Sequence, residues 1–338
     1  MASVTITDVA RRAGVSMKTV SRVMNAEPHV RERVRDKVLS AARELNYRPK
    51  VSARSLAGSR AYQIGFLLSY VSPYAMHAQL GALRACGEHG FHLVLDTIDL
   101  GGEDLASDME RLANGLTLDG MILLPPLCDH PIVLDALDAA AIPYVRIAPA
   151  TARTIGSEVQ LDDEGAATVM TEHLLDLGHR RIGFIQGPPG HVASVSRLAG
   201  FRKAMAARGA EPDPALIQSG SFHYASGLEA AERLLALAEP PTAIFASNDE
   251  MALAVMAKAQ SLGRRIPEDL SVVGFDDIAS SRMIWPGLTT MRQPMADMGA
   301  AAAGILIAGG GKALSEPGAP RRFACELVVR GSTAPPRE

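Results

Sequence analysis

Between residues 5 and 24 the chain reads TITDVARRAGVSMKTVSRVM, and Ile6, Val9, Ala10 and Ala13 recur at helical spacing until Gly14 interrupts them. The pattern restarts after Ser16, which can cap a second helix with Val20 and Val23 facing inward and Met17, Lys18, Ser21 and Arg22 facing outward. Two short helices joined by a tight turn are therefore predicted. A third, over residues 31–45, sets Val34, Val38, Ala41, Ala42 and Leu45 on one face and stops at Asn46-Tyr47-Arg48-Pro49. VSARSLAG follows, a run of helix formers bounded by Pro49 and Gly58 and too short to be stable alone. It reads as a hinge helix, over residues 50–60, that forms only under the right conditions.

From Gln63 onward the texture changes. Short apolar runs (IGFLL, FHLVL, GMILL, YVRI) alternate with amphipathic segments, and a second series (RIGFI, TAIFA, SVVGF) is separated by helices expected over 164–177, 197–208 and 249–262. Buried parallel strands alternating with helices have this signature. The expected fold is an all-α headpiece over residues 1–49, the hinge, and an α/β core over 61–338 made of two doubly wound subdomains. The series divides near residues 160–162, and a further helix follows Pro294. We therefore expect the chain to recross, with a first subdomain of 61–161 and 292–320 and a second of 162–291 and 321–331. A ligand cleft between them is the natural consequence.

Charge sharpens this division. The net charge of −3 hides a basic N-terminus: residues 1–60 hold 13 Lys/Arg and 5 Asp/Glu, against 21 and 32 in the rest. A net +8 on so short a segment can neutralise phosphates and release their counterions, while an acidic body discourages sprawling contact with DNA. The longest apolar stretch, residues 298–310, is too short to cross a bilayer, and MASVTITDVA lacks the apolar core of a secretory signal, so no membrane partner and a cytoplasmic location are expected. Cys86, Cys128 and Cys325 are scattered without zinc-site spacing and read as small buried hydrophobes. Neither a metal nor a cofactor is expected.

The motifs TITDVARRAGVSMKTVSRVMN, LNYRP followed by ARSLAG, LGHRRIGFI, FASNDEMALAVM, EDLSVVGFDD, LTTMRQP and LVVRGST together resemble the lactose-repressor (LacI/GalR) family over nearly the whole chain. The resemblance implies a helix-turn-helix headpiece, a hinge helix and a dimerising, type I periplasmic-binding-protein-like core, in proteins that chiefly repress transcription. It implies a homodimer on an inverted-repeat operator, released by a small-molecule effector, a mono- or oligosaccharide.

For the DNA contacts, the second helix is slender enough for the major groove and presents several chemistries from one face. Lys18 and Arg22 can donate to guanine, and Met17 can make only apolar contact. Ser16, Thr19, Ser21 and Asn25 suit phosphates. Thr5, His29, Arg31 and Tyr47 complete the implied set. In the hinge, Leu56 matches the family leucine that wedges between base steps in the minor groove, with Arg54 beside it.

For the effector, the resemblance points to Arg197, Asn248 and Asp276, which together can donate to and accept from vicinal hydroxyls. Tyr74, Phe222 and the sole tryptophan, Trp285, are placed in loops where a flat ring suits the C–H face of a pyranose. One departure stands out: where the family commonly has an acidic ligand contact after IPYVRI, this chain has Ala148, and Arg146 two residues earlier is the candidate replacement. A transport receptor and a regulator answering to a nucleoside or other metabolite remain open on the same fold. An enzyme is disfavoured, because GxGxxG, HExxH and GxSxG are all missing.

Overall fold

The computed structural model describes residues 4–24, 30–47, 60–70, 72–151, 153, 155–310 and 320–337. The expected hinge, except for Arg60, lies outside them. The chain divides into two units, residues 1–62 and 63–338.

In the first unit, α1 (Ile6–Ala13), α2 (Met17–Met24) and α3 (Glu32–Glu44) enclose Val9, Ala10, Val20, Val23, Val38, Ala41 and Ala42. Gly14 ends α1 because the turn needs a left-handed residue: its φ is 66°, and the next amide, Val15 N–H, donates back to the Ala10 carbonyl at 3.1 Å. The turn sets α2 across α1, and Arg12 pairs with Glu44 at 2.5 Å to tie α1 to α3.

The second unit holds two sheets of six strands. The first collects β1 (Gln63–Leu68), β2 (His92–Thr97), β3 (Gly120–Leu123), β4 (Tyr144–Ile147) and β5 (Ser157–Leu161); the second collects β6 (Ile182–Gln186), β7 (Ile217–Ser219), β8 (Ala243–Ala246), β9 (Ser271–Asp276) and β10 (Thr289–Arg292). Two short strands, β11 (Arg321–Phe323) and β12 (Glu326–Val328), are shared out one to each sheet. The orders are β2-β1-β3-β4-β5-β11 and β7-β6-β8-β9-β10-β12, so both halves repeat one doubly wound topology. Among the described residues every pairing is parallel except β10 with β12.

Helices α4 (Pro73–Glu88), α5 (Leu105–Gly115) and α6 (Pro131–Ala139) flank the first sheet. The second is flanked by α7 (Asp163–Asp176), α8 (Val192–Ala207), α9 (Tyr224–Leu235) and α10 (Asp249–Ser261), with one turn, α11 (Ser280–Met283), before β10. The last helix, α12 (Met295–Gly309), returns to pack on α4, where glycines allow close approach: a Cβ on Gly81 would run into the Ala296 carbonyl, and one on Gly299 into that of Ala78.

Three boundaries differ from expectation. Residues 321–331 do not all belong to the second subdomain, because β11 pairs with β5 in the first sheet; the last crossing lies between Phe323 and Glu326, and Arg292 stays in the second sheet. Arg321 and Arg322 are exposed, so this edge strand carries no apolar run to betray it. The helix expected from residue 197 begins at Val192, since its first turns are built of Ala, Ser and Val rather than a strong apolar stripe. Cys86 and Cys128 are buried as expected, but Cys325 is only half-buried.

Candidate functional site

The headpiece presents α2 with its cap in place. Ser16 Oγ accepts the Thr19 amide at 3.1 Å and shares a hydrogen bond with the Thr19 hydroxyl at 2.9 Å. Burying Val20 and Val23 turns Lys18 and Arg22 outward as exposed side chains, with Ser21 half-buried between them. Met17 is 53% exposed and its sulfur accepts from the Thr7 hydroxyl at 3.3 Å. Thr5, at the start of α1, donates through both its amide (2.9 Å) and its hydroxyl (2.7 Å) to Asp8, and these bonds hold the Asp8 carboxyl below its usual range. Arg31 is exposed ahead of α3. Tyr47 packs on the headpiece core, where burial raises its phenol. Asn25, His29, Arg54 and Leu56 lie outside the described residues.

In the second unit a cleft of about 860 Å³ opens at the carboxyl ends of the strands, where doubly wound sheets place ligands. The first subdomain contributes Ser69 and Tyr70 after β1, Tyr74, Leu124 and Pro125 after β3, and Ala148 after β4. The second contributes Asp163, His191, Arg197, Phe222, Asn248, Glu250 and Asp276. Left-handed backbone concentrates here: Ala148 (φ 50°), Phe222 (φ 64°) and Asp276 (φ 130°) all line the cleft, and Asp277 (φ 59°) adjoins it. Non-glycine residues hold such angles at a cost of order 1–3 kcal/mol, which the surrounding contacts must offset.

Arg197 is the centre of the polar wall. Its Nε and Nη2 each reach Asp163 Oδ1 at 2.8 Å, Nη1 donates to the Ser247 carbonyl at 2.6 Å, and the guanidinium lies 3.7 Å from the Phe275 ring centroid. Burial pulls the guanidinium down, but Asp163 and Asp276 outweigh it and leave its pKa raised. Asp276, 4.0 Å from Arg197 Nη1, accepts from Gln293 at 2.6 Å; burial nevertheless pushes its carboxyl well up. Asn248 caps α10 by accepting the Met251 amide at 3.0 Å, and its Nδ2 donates to the Phe222 carbonyl at 2.8 Å, which fixes the loop carrying the Phe222 ring. Tyr74 sits in the first turn of α4 rather than in a loop, and burial raises its phenol well above the usual value.

Two expected effector contacts are elsewhere. Arg146 has no exposed surface: it is held by Asp129 at 3.1 Å, by Glu158 and by the Thr151 carbonyl at 2.8 Å, so it anchors the segment after β4 and does not line the cleft. A guanidinium with two carboxylates at hand satisfies itself locally. Trp285 is 89% exposed and also absent from the cleft wall; it follows α11, which ends at Met283, and its carbonyl accepts from Gln260 at 3.4 Å.

Conversely, Asp163, His191, Glu250 and Tyr70 line the cleft without having been singled out. Asp163 hides in the acidic run DDE, whose first member does the capping: Asp162 accepts the Gly165 amide at 2.9 Å and leaves Asp163 to turn inward. Among the described residues no cluster of His, Cys, Asp or Glu could hold a metal ion, and no helix is long and apolar enough to cross a membrane.

The model for bacterial regulatory proteins of the lacI family matches residues 5–50, and a periplasmic binding protein-like domain matches residues 171–333. The HTH-type transcriptional regulator CelR of Thermobifida fusca is 36% identical over 345 residues, spanning 97% of this chain and 98% of its own. The chain belongs to the LacI family. Its fold agrees with that of solved LacI-family regulators. The CelR–cellobiose complex superposes with a TM-score of 0.72 at 35% identity, covering 97% of this chain and 99% of that one. The lac repressor dimer bound to operator and the anti-inducer ONPF gives 0.76 at 29%, covering 98% and 100%. As a LacI-family member the protein is a transcriptional regulator whose helix-turn-helix is α1 and α2.

Proposed function

We propose that this LacI-family protein is a repressor of carbohydrate-utilisation genes that holds an inverted-repeat operator as a homodimer and releases it when a saccharide fills the cleft. The observation that carries the effector assignment is the wall of the cleft: a guanidinium, an amide and a carboxylate (Arg197, Asn248, Asp276), each fixed by its own hydrogen bonds, beside the flat ring of Phe222. Such a set orients hydroxyl groups while the ring covers a C–H face. The similar CelR was solved with cellobiose, which supports the same ligand class here.

On DNA, Lys18 and Arg22 read guanine edges, Met17 packs on a thymine methyl group, and Ser16, Thr19, Ser21, Asn25, His29 and Arg31 hold phosphates. Thr5 joins them by donating its amide or hydroxyl hydrogen to a phosphate only if the Asp8 contact rearranges, and Tyr47 contributes its phenolic hydroxyl. Leu56, with Arg54, wedges the minor groove at the operator centre. Self-association is assigned to α4, where Met76, Leu80 and Leu83 stand at i, i+4 and i+7 and are 42–51% exposed.

Selection of binding sites from random duplexes tests this reading. The full chain should enrich an inverted repeat, and one or more members of a saccharide panel should weaken binding to it. A chain lacking residues 1–60 should keep the saccharide and lose the DNA. If no duplex is enriched, the regulator mechanism is wrong; saccharide binding with no effect on DNA would instead favour a receptor.

A further inference from the structure

The cleft is charged unevenly. Among the described residues three carboxylates line it, Asp163, Glu250 and Asp276, against one cation, Arg197. The remaining basic group, His191, is held neutral, because burial and the neighbouring Arg197 bring its imidazole down to about 4. The charge of Arg197 is already matched by the Asp163 carboxylate, which it grips through two nitrogens at 2.8 Å. Even with Asp276 protonated, the walls keep an excess of one negative charge, and with Asp276 ionised they keep two.

Glu250 is the part of that excess with no counter-ion. It stands in the first turn of α10, half-buried, and among the described residues no Lys, Arg or His forms an ion pair with it. The position matters, because the N-terminus of a thirteen-residue helix opening on a cleft would otherwise favour an anion. A carboxylate in that turn offsets the positive end of α10. Its field also reaches across the cleft, where it helps to raise the Tyr70 phenol after burial has done so.

We infer that the cleft selects uncharged saccharides and rejects their carboxylate- and phosphate-bearing counterparts, and that Glu250 sets this selection. The inference rests on the saccharide reading above and adds to it the charge of the ligand. A second negative charge brought within several ångströms of Glu250, in a site partly shielded from water, meets repulsion worth at least about a ten-fold loss of affinity.

The test is calorimetry on the full-length protein at about 0.15 M salt, using matched series: glucose, glucuronate and glucose 6-phosphate; galactose and galacturonate; cellobiose and its uronate. In any series whose neutral sugar binds, the acid and phosphate forms should bind at least about ten-fold more weakly. Glu250→Gln should narrow that ratio several-fold, and Glu250→Asp, which keeps the charge, should retain it. An anionic form binding as tightly as its neutral parent overturns the inference. So does a ratio that Glu250→Gln leaves unmoved. If no saccharide binds, charged or neutral, the saccharide reading itself fails and takes this selection with it.

Discussion

His191 gives the cleft a measurable acid response. Its Nδ1 is buried with no hydrogen-bond partner and its ring meets Phe222 edge-on with centroids 5.0 Å apart, so a proton on the imidazole finds little to solvate it. With the folded-state value near 4 and the unfolded one at 6.5, the unfolded chain takes up the proton first as pH falls. Stability is therefore lost through the window from 6.5 to 4. Asp249 works in the opposite sense. Buried between Thr290 (2.5 Å) and the Ile278 amide (2.9 Å), its carboxyl is raised by burial to about 6, so the folded chain takes up that proton first and gains stability as pH falls through 6. The two effects offset each other in the native protein. Replacing His191 by Gln should unmask the Asp249 contribution: relative to the native chain, the variant should be about 2 kcal/mol more stable near pH 5 and equal to it near pH 7. Urea unfolding of both proteins at the two pH values measures this directly, and a difference independent of pH would show that His191 is not the group that titrates.

At the scale of elements, α4 and α12 cross at a distance set by missing side chains. Gly81 faces the Ala296 carbonyl and Gly299 faces that of Ala78, so neither position has room for a methyl group, and backbone cannot step aside as a flexible side chain can. Gly87, two turns further along α4, has nothing within 4 Å of a would-be Cβ. Gly81→Ala should cost at least about 2 kcal/mol by overpacking, whereas Gly87→Ala should stabilise by about 0.5–1 kcal/mol through helix propensity alone. Denaturant midpoints of the two variants decide it; equal effects would mean that the helices are not held at this spacing. This crossing was invisible in the sequence, because a glycine in a helix reads the same whether it faces a neighbour or solvent. What was legible followed from burial on both faces: β1, β3, β4, β6, β8 and β9 announce themselves as apolar runs, and all four residues of β3, β4 and β8 are buried. The three-residue strands β7, β11 and β12 lie at sheet edges with mixed exposure and leave no periodic trace. The cleft divides in the same way. Arg197, Asn248, Asp276, Tyr74 and Phe222 were reachable because they sit in recognisable motifs. Arg146 and Trp285 misled, because a sequence does not say whether a guanidinium has carboxylates beside it or whether a tryptophan points into a cleft or away from it.

For the whole molecule, the decisive feature is that the cleft spans two subdomains joined by three chain crossings, at residues 161–163, 292–295 and 323–326. A ligand touching both lobes can shift their arrangement only by binding one arrangement better than another, and the same free energy must then appear at the DNA. Saturating saccharide should weaken operator binding by a factor in the range of roughly 5 to 150, and saturating operator should weaken saccharide binding by that same factor. A rival explanation needs no movement at all: the core carries 32 acidic against 21 basic residues, and DNA held by the basic N-terminus could disturb the cleft through charge alone. Nonspecific DNA separates the two. It brings the same phosphates to the same 13 Lys/Arg of residues 1–60, yet offers no symmetric site for the recognition helices to order against. If the coupling runs through the arrangement of the lobes, a nonspecific duplex at a concentration that saturates the protein in low salt should leave saccharide affinity unchanged, while operator shifts it. Equal shifts from both duplexes, vanishing together as salt is raised, would reduce the coupling to electrostatic repulsion and remove the lobes from the mechanism.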